Sequence, residues 1–551
     1  MLLSRLPLDE ILARHDWILT FTHPPSVTSL LRTNDAPSPL QSTQLKASLD
    51  SLKEPLAEVQ SDLDLVRNAV ASLEIRMSRL QSIKLDYETA LSPIRHVPME
   101  VLAEILRRSW PTGTLGMNGR VLGVSNPRHG PWILGHVCSL WRGVIETLCP
   151  ELWATLIIEP PYRFNGSANK ELERLCRVLE RSRNHSLDFI FRDLFTHVHP
   201  AKDHLMEQCF DAMVAFSERW RVVEITVPLL QIPRLSLIHG RIDWLREVYL
   251  YYFGDPPSGD VRAFEIAPKL AILHLRGMHP DANIHFPTTN LISFSDERKF
   301  PGDRLFPKYI DIVKSASKLR SFSYINEQPI RIEDPVPLYL ARVTSSTLEG
   351  LSTSSLNFMR SMKLPALKEF KFTVPLGRAT GRGALQVLHE MVLHSQCSLT
   401  LLSVQNAQLD AGLLAVLQVT PQLEELYIRC EEWMVQCDPV MLSLIAEMRE
   451  LSAVEGSHQH RLVPSLQRLK IVLDRVSSTT VSFLDWDFVE MIAARMPEED
   501  APGLRELSLT VIGEGWVCDL DDEKDPFRML EEEGLHVELD LCHLDDSESS
   551  E

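Results

Sequence analysis

A chain of 551 residues divides into three or four structural units at roughly 100–200 residues each, and 44% hydrophobic residues supply a large core, which excludes a disordered protein. The net charge is −19, but 15 acidic and only 2 basic residues fall within 514–551, so most of the excess is local. No basic surplus is left to neutralise phosphates, which excludes generic binding to DNA or RNA. The nine cysteines form no CxxC and no short, even framework, the pattern of reduced thiols in an intracellular protein. The N-terminus lacks the cationic start and clean apolar run of a signal peptide. No apolar stretch approaches the ~18 residues of a membrane span, so no membrane association is expected, and the expected compartment is the cytoplasm, the nucleus or both.

Residues 1–44 read as a linker. Leu6 to Leu12 could start a short amphipathic helix, and a Pro/Ser/Thr-rich stretch with Pro24, Pro25, Pro37 and Pro39 follows. From 45 to 91 the pattern changes. Leu45, Leu49, Leu52, Leu56, Val59, Leu63, Val66, Val70, Leu73, Met77 and Leu80 alternate spacings of four and three, a heptad seam that Tyr87 and Leu91 rejoin after Lys84. Pro55, off the seam, marks either the helix start or a kink. The stripe fits either a coiled-coil homodimer through 45–91 or packing on the chain's own neighbouring domain.

Residues 92–158 form a compact helical block. Pro98 stands at a helix start, and Val101, Leu102, Ile105 and Leu106 make one apolar face. A Gly/Pro/Asn-rich loop from Pro111 to Pro131 leads to a helix carrying Trp132, Leu134, Val137, Cys138, Leu140, Trp141, Val144 and Ile145, apolar over more than half its circumference. Such a helix must be buried or must meet a partner.

Across 159–515 one unit recurs, L-x-x-φ-x-φ with φ apolar. Its copies include Leu245/Val248/Leu250, Leu270/Leu273/Leu275, Leu319/Phe322/Tyr324, Leu367/Phe370/Phe372, Leu399/Leu402/Val404, Leu423/Leu426/Ile428, Leu466/Leu469/Ile471 and Leu504/Leu507/Leu509. Degenerate copies stand at Trp220/Val223/Ile225 and Leu348/Leu351. Each φ-x-φ predicts a short strand, and the leading Leu a wedge into the turn before it. Stacked units give a parallel sheet with a continuous core. The spacing is longer and less regular than that of ideal leucine-rich repeats, and an ordinary α/β domain with parallel strands is the alternative. Residues 516–551 read as an acidic, disordered tail. The predicted fold is therefore multidomain: an all-α N-terminal part, made of a long heptad helix plus a three-helix unit, followed by an α/β leucine-rich-repeat-like solenoid.

No constellation of catalytic residues stands out. His389 and His394 flank Glu390 in a near match to a zinc-protease motif, but five residues on a helix set them about 140° apart, so they cannot share a metal. Gly377, Gly381 and Gly383 fit neither the P-loop nor the dinucleotide fingerprint and read as a loop entering a helix. His197, His199 and His204 near Cys209 lack the pairing of structural zinc sites. Neither cofactor nor metal is expected, and no enzyme.

The block from Leu91-Ser92-Pro93-Ile94-Arg95-His96-Val97-Pro98-Met99-Glu100-Val101-Leu102, through Trp132-Ile133-Leu134, Val137-Cys138 and Trp141-Arg142, to Pro150-Glu151-Leu152-Trp153 resembles the F-box of basidiomycete-fungal F-box proteins. That family carries the same order, spacing and preceding coiled coil; Val97 replaces its usual Leu. The resemblance covers about 65 residues. It implies the substrate-recognition subunit of a Skp–cullin–F-box ubiquitin ligase, with Pro98, Leu102, Ile105, Leu106, Val137, Cys138 and Trp141 forming or supporting the adaptor surface. The implied partners are a Skp-type adaptor, a cullin through it, and a target protein that the sequence does not name. The alternative is a non-catalytic repeat scaffold whose F-box-like unit acts outside a ubiquitin ligase.

Overall fold

The computed structural model describes residues 8–33, 36–109, 122–123, 130–159, 168–193, 200–228, 232–253, 260–277, 282–298, 306–326, 342–374, 383–433, 435–451, 460–477, 480–497, 503–520 and 525–543. The chain divides into two compact units, Met1–Val101 and Leu102–Glu551.

The first unit is all helical. Residues 1–44, expected as a linker, carry three short helices, α1 (Leu8–His15), α2 (Trp17–Thr20) and α3 (Pro25–Thr33). Helix α4 (Pro39–Ala90) starts before the heptad seam and runs through Pro55. Its start lies at Ser38, whose side chain accepts from the Gln41 amide at 3.4 Å while its own amide donates to Gln41 Oε1 at 3.0 Å, with Pro39 in the first turn. The reciprocal cap satisfies the Ser38 and Gln41 amides, and Pro39 has no amide to leave open, so the helix starts here and not at Pro55. Arg14 and His15 of α1 both reach Asp62 of α4, at 3.0 and 2.9 Å. No residue of α4 is buried, and Val70, Leu73, Met77 and Leu80 on its seam are exposed.

The second unit opens with helices α5 (Met99–Ser109, which begins in the first unit), α6 (Pro131–Val137) and α7 (Ser139–Leu148), and continues as one open sheet of 15 strands. The strands are β1 (Leu122–Gly123), β2 (Thr155–Ile158), β3 (Leu187–Arg192), β4 (Trp220–Pro228), β5 (Glu247–Phe253), β6 (Ile272–Arg276), β7 (Ser293–Arg298) and β8 (Ser321–Asn326). They continue with β9 (Gly350–Thr353), β10 (Glu369–Thr373), β11 (Leu401–Gln405), β12 (Glu425–Cys430), β13 (Arg468–Ser477), β14 (Glu506–Glu514) and β15 (His536–His543). Each strand pairs in parallel with the next in sequence, so the sheet is a succession of α/β units that does not close into a barrel. This is a solenoid-like arrangement.

The repeat read from the sequence sets the register. The first φ of every unit falls in one row, from Leu156 and Phe189 through Leu273, Phe294 and Phe370 to Leu507, and all are at most 3% exposed. The leading leucines are buried behind them. The amides of Leu245, Leu270, Leu319, Leu367, Leu423 and Leu466 each donate to the carbonyl three residues back, at 3.0–3.2 Å, closing the turn the wedge requires. From β6 to β14 two successive amides at each strand start donate to a single carbonyl of the preceding unit, as Thr400 and Leu401 do to Lys368. Helices cover the face on which the φ residues point. Phe210, in the helix before β4, meets Phe191, and Phe358, in the helix after β9, stacks on Phe322 at 5.0 Å.

Two sequence boundaries shift, and one strand escapes the repeat. The break expected at 158 does not exist, because β1 and β2 lie inside the block 92–158 and form the first strands of the sheet. Their unit lacks a leading Leu; Trp153, 1% exposed, stands three residues before Leu156 in its place. The strand at Ser293–Arg298 escapes the repeat pattern because its second φ position holds Asp296. The expected disordered tail is a correction. A helix at Asp525–Glu532 buries Phe527 and Leu530, and β15 pairs with β14 from Glu506↔His536 to Gly513↔His543. Charge counting hides the alternation of Val537, Leu539 and Leu541, which fits a pleated edge strand. Residues 544–551 lie outside the described residues.

Candidate protein-interaction surfaces

Helices α5 to α7 have two unlike sides. On α5, Leu102, Ala103 and Leu106 are buried, while Ile105 faces out at 46% exposure. Helix α6 runs to Val137, Cys138 is extended, and α7 begins at once, so the two helices meet at a sharp corner. Val144 and Ile145 of α7 are buried, whereas Ile133 and Val137 of α6 are 47% and 58% exposed.

The buried side is fixed by specific bonds. Arg107 of α5 pairs with Glu151 and donates to the Leu148 carbonyl at 2.6 Å. The Glu151 carboxylate holds the Arg107 guanidinium above its ordinary pKa. The Trp153 indole donates to the Ile145 carbonyl at 3.4 Å and meets Trp132 edge-on at 4.9 Å. Arg181, at the end of α8 (Ala168–Arg181), lies over both rings at 4.8 and 4.7 Å and pairs with Glu146 at 2.5 Å. Trp132 and Trp153 are therefore structural, joining α6 and α7 to the first repeat.

Of the seven residues implied as adaptor contacts, the structure brings Val137, Cys138 and Trp141 together at the α6–α7 corner, the first two exposed and Trp141 half-buried. Ile105 is exposed on α5. Leu102 and Leu106 are core residues that can only support a surface, and Pro98 is exposed in the first unit. On α6 and α7 two further exposed apolar residues, Ile133 and Leu140, escape the sequence-based contact set. Ile133 could have been found from its i, i+4 spacing to Val137.

A second surface is the sheet face that bears no φ residues. Between β10 and β14 it holds a depression of about 490 Å³ lined by Lys371, Ser403, Tyr427, Arg468, Lys470 and Glu506 among others. Lys371, Ser403, Tyr427, Lys470 and Ser508 occupy successive strands in one register row. Two residues earlier on the same strands the row reads Glu369, Leu401, Glu425, Arg468 and Glu506, with Arg468 ion-paired to Glu425. Ser403 is 2% exposed and accepts from Gln405 Nε2 at 3.1 Å, which leaves its hydroxyl proton free to donate.

Among the described residues no group of three His, Cys, Asp or Glu side chains could hold a metal. His389 and His394 sit on the helix Ala384–Ser395; His197 and His199, and Gly377 and Gly381, lie outside the described residues. Burial pushes the Cys209 and Cys430 thiols up to about 12 and Cys397 to about 11, so all three are protonated at neutral pH. No described helix is long and apolar enough to cross a membrane. No model of a known protein family matches the chain, and no curated protein matches it in sequence.

Proposed function

We propose that the chain is the substrate receptor of a Skp–cullin–F-box ubiquitin ligase, its α5–α7 face docking on a Skp-type adaptor and its leucine-rich-repeat-like sheet holding the target. The observation that carries this reading is the two-sidedness of α5–α7. Their back is fully fixed by Arg107, Trp153 and Arg181, yet Ile105, Ile133, Val137 and Leu140 are left in water. Apolar side chains on a rigid helical corner are suited to a partner's hydrophobic surface. On this reading the chain performs no bond chemistry of its own. It raises the effective concentration of a target beside a conjugating enzyme. The exposed seam of α4 supports pairing of two copies through residues 45–91, which sedimentation of the full chain against its Leu73→Glu, Leu80→Glu variant measures.

The test is co-purification of the full chain with a Skp-type adaptor, comparing the wild type with an Ile105→Asp, Val137→Asp variant. Both positions are exposed, so the variant folds, and circular dichroism verifies that it does. Binding by the wild type and its loss in the folded variant is the expected result. A folded wild type that ignores the adaptor overturns the proposal and leaves the scaffold reading.

A further inference from the structure

We infer that the depression across β10–β14 binds an extended, acidic segment of a partner polypeptide, with Lys371 and Lys470 contacting two carboxylates four residues apart. This deepens the target-binding half of the proposed function but does not depend on adaptor docking.

Some of the polar groups on this face are already engaged. Arg468 is paired with Glu425, and the Ser508 hydroxyl donates to Glu538 at 2.9 Å. Lys371 and Lys470 are exposed, and neither has an ion-pair partner among the described residues. The Lys470 ammonium lies 5.9 Å from the centre of the Tyr427 ring, beside it in the lining of the depression. Two cations without an ion-pair partner among the described residues, set over a shared hollow, stand out in a chain whose net charge is −19.

Spacing then selects the shape of the ligand. Lys371 and Lys470 occupy the same row on β10 and β13, three strand intervals apart, or about 14 Å at the ~4.8 Å separation of neighbouring strands. An extended chain advances about 3.4 Å per residue, so side chains at i and i+4 on one face are also about 14 Å apart. A segment laid across the strands along this row therefore places one carboxylate at each lysine. Its central i+2 side chain falls between Ser403 and Tyr427 in that row. On a helix, i and i+4 lie within about 6 Å, so carboxylates at that spacing could not engage both lysines.

The acidic row beside it fixes the track. Glu369 and Glu506, at the two ends of that row, repel an acidic segment that drifts toward the strand starts, while Glu425 is neutralised by Arg468, so the lysine row is the favoured track.

The experiment is selection of displayed random nine-residue peptides on the full chain, without adaptor. The expected result is enrichment of Asp or Glu at positions four apart with an uncharged residue midway. The selected peptide, dye-labelled, is then measured by fluorescence anisotropy. Its affinity falls at least about tenfold in the Lys371→Glu, Lys470→Glu variant and weakens as salt is raised. The Ile105→Asp, Val137→Asp variant binds the peptide as the wild type does, so failure of adaptor docking is distinguished from failure of the peptide site. Selected peptides lacking acidic residues, or affinity indifferent to the lysine reversals in a folded variant, overturn the inference.

Discussion

The guanidinium of Arg181 lies 4.7 Å from the Trp153 ring, and this contact ties the last turn of α8 to the residue that begins the first repeat. Arg181 also covers Trp132 and pairs with Glu146 of α7, so one side chain holds three segments of the helical block. A guanidinium stacked on aromatic faces exploits both its planarity and its weak hydration, which lysine lacks.

Arg181→Ala is expected to lower stability by about 2 kcal/mol, the sum of a partly desolvated cation–π contact and lost packing. Arg181→Lys should recover only part of it. Urea unfolding followed by tryptophan fluorescence measures both, and an alanine variant as stable as the wild type would show that Arg181 does not clamp the block.

Arg495 tests a different kind of burial. It is 3% exposed and donates to the Met448, Leu462 and Val463 carbonyls, the last at 3.1 Å, so its charge is met by backbone dipoles. Burial lowers its pKa to about 10. Replacing it with Met fills the space but strands three carbonyls, so Arg495→Met is expected to cost about 3 kcal/mol in urea unfolding. A neutral outcome would mean the carbonyls find other donors.

The pH dependence follows from His274, stacked on Tyr249 at 4.8 Å and held below its ordinary pKa of 6.5 by burial. The unfolded chain gains a proton near 6.5 while the folded chain resists it. The contribution is therefore complete above pH 6.5 and drains as the pH falls below it. His460, lowered by burial and then by Arg495, adds to the same slope. His274→Phe keeps an aromatic partner for Tyr249 and should flatten part of the fall. Melting temperatures from pH 7.5 to 5 would show it, and identical slopes would refute the assignment.

Removing residues 525–551 uncovers β14, nine residues long, as a bare edge. Unpaired strand edges recruit other chains. In light scattering the truncated chain is expected to associate or precipitate and the full chain to stay clear. A monodisperse truncation would show that β15 closes nothing.

The register is legible in the sequence because its signal is local. A leucine and two alternating apolar residues specify turn and strand within six positions, and the eight copies read from sequence all fall in the sheet. The copies that escape the pattern have lost a local mark and kept only their neighbours. Asp296 takes an inward position because strands on both sides hold it there, with Tyr309 donating to it at 2.7 Å. Trp153 replaces a leucine, and β15 hides its alternation under acid. The helical block is likewise marked by its apolar spacing, but spacing cannot tell an inward from an outward residue on a helix apolar nearly all round. Only the tertiary packing puts Leu102 and Leu106 inside and leaves Ile105 and Val137 out. The lysine row is the extreme case. Lys371 and Lys470 are far apart in sequence, and only the pairing of the strands between them makes them neighbours across one hollow, because register is a property of the whole sheet.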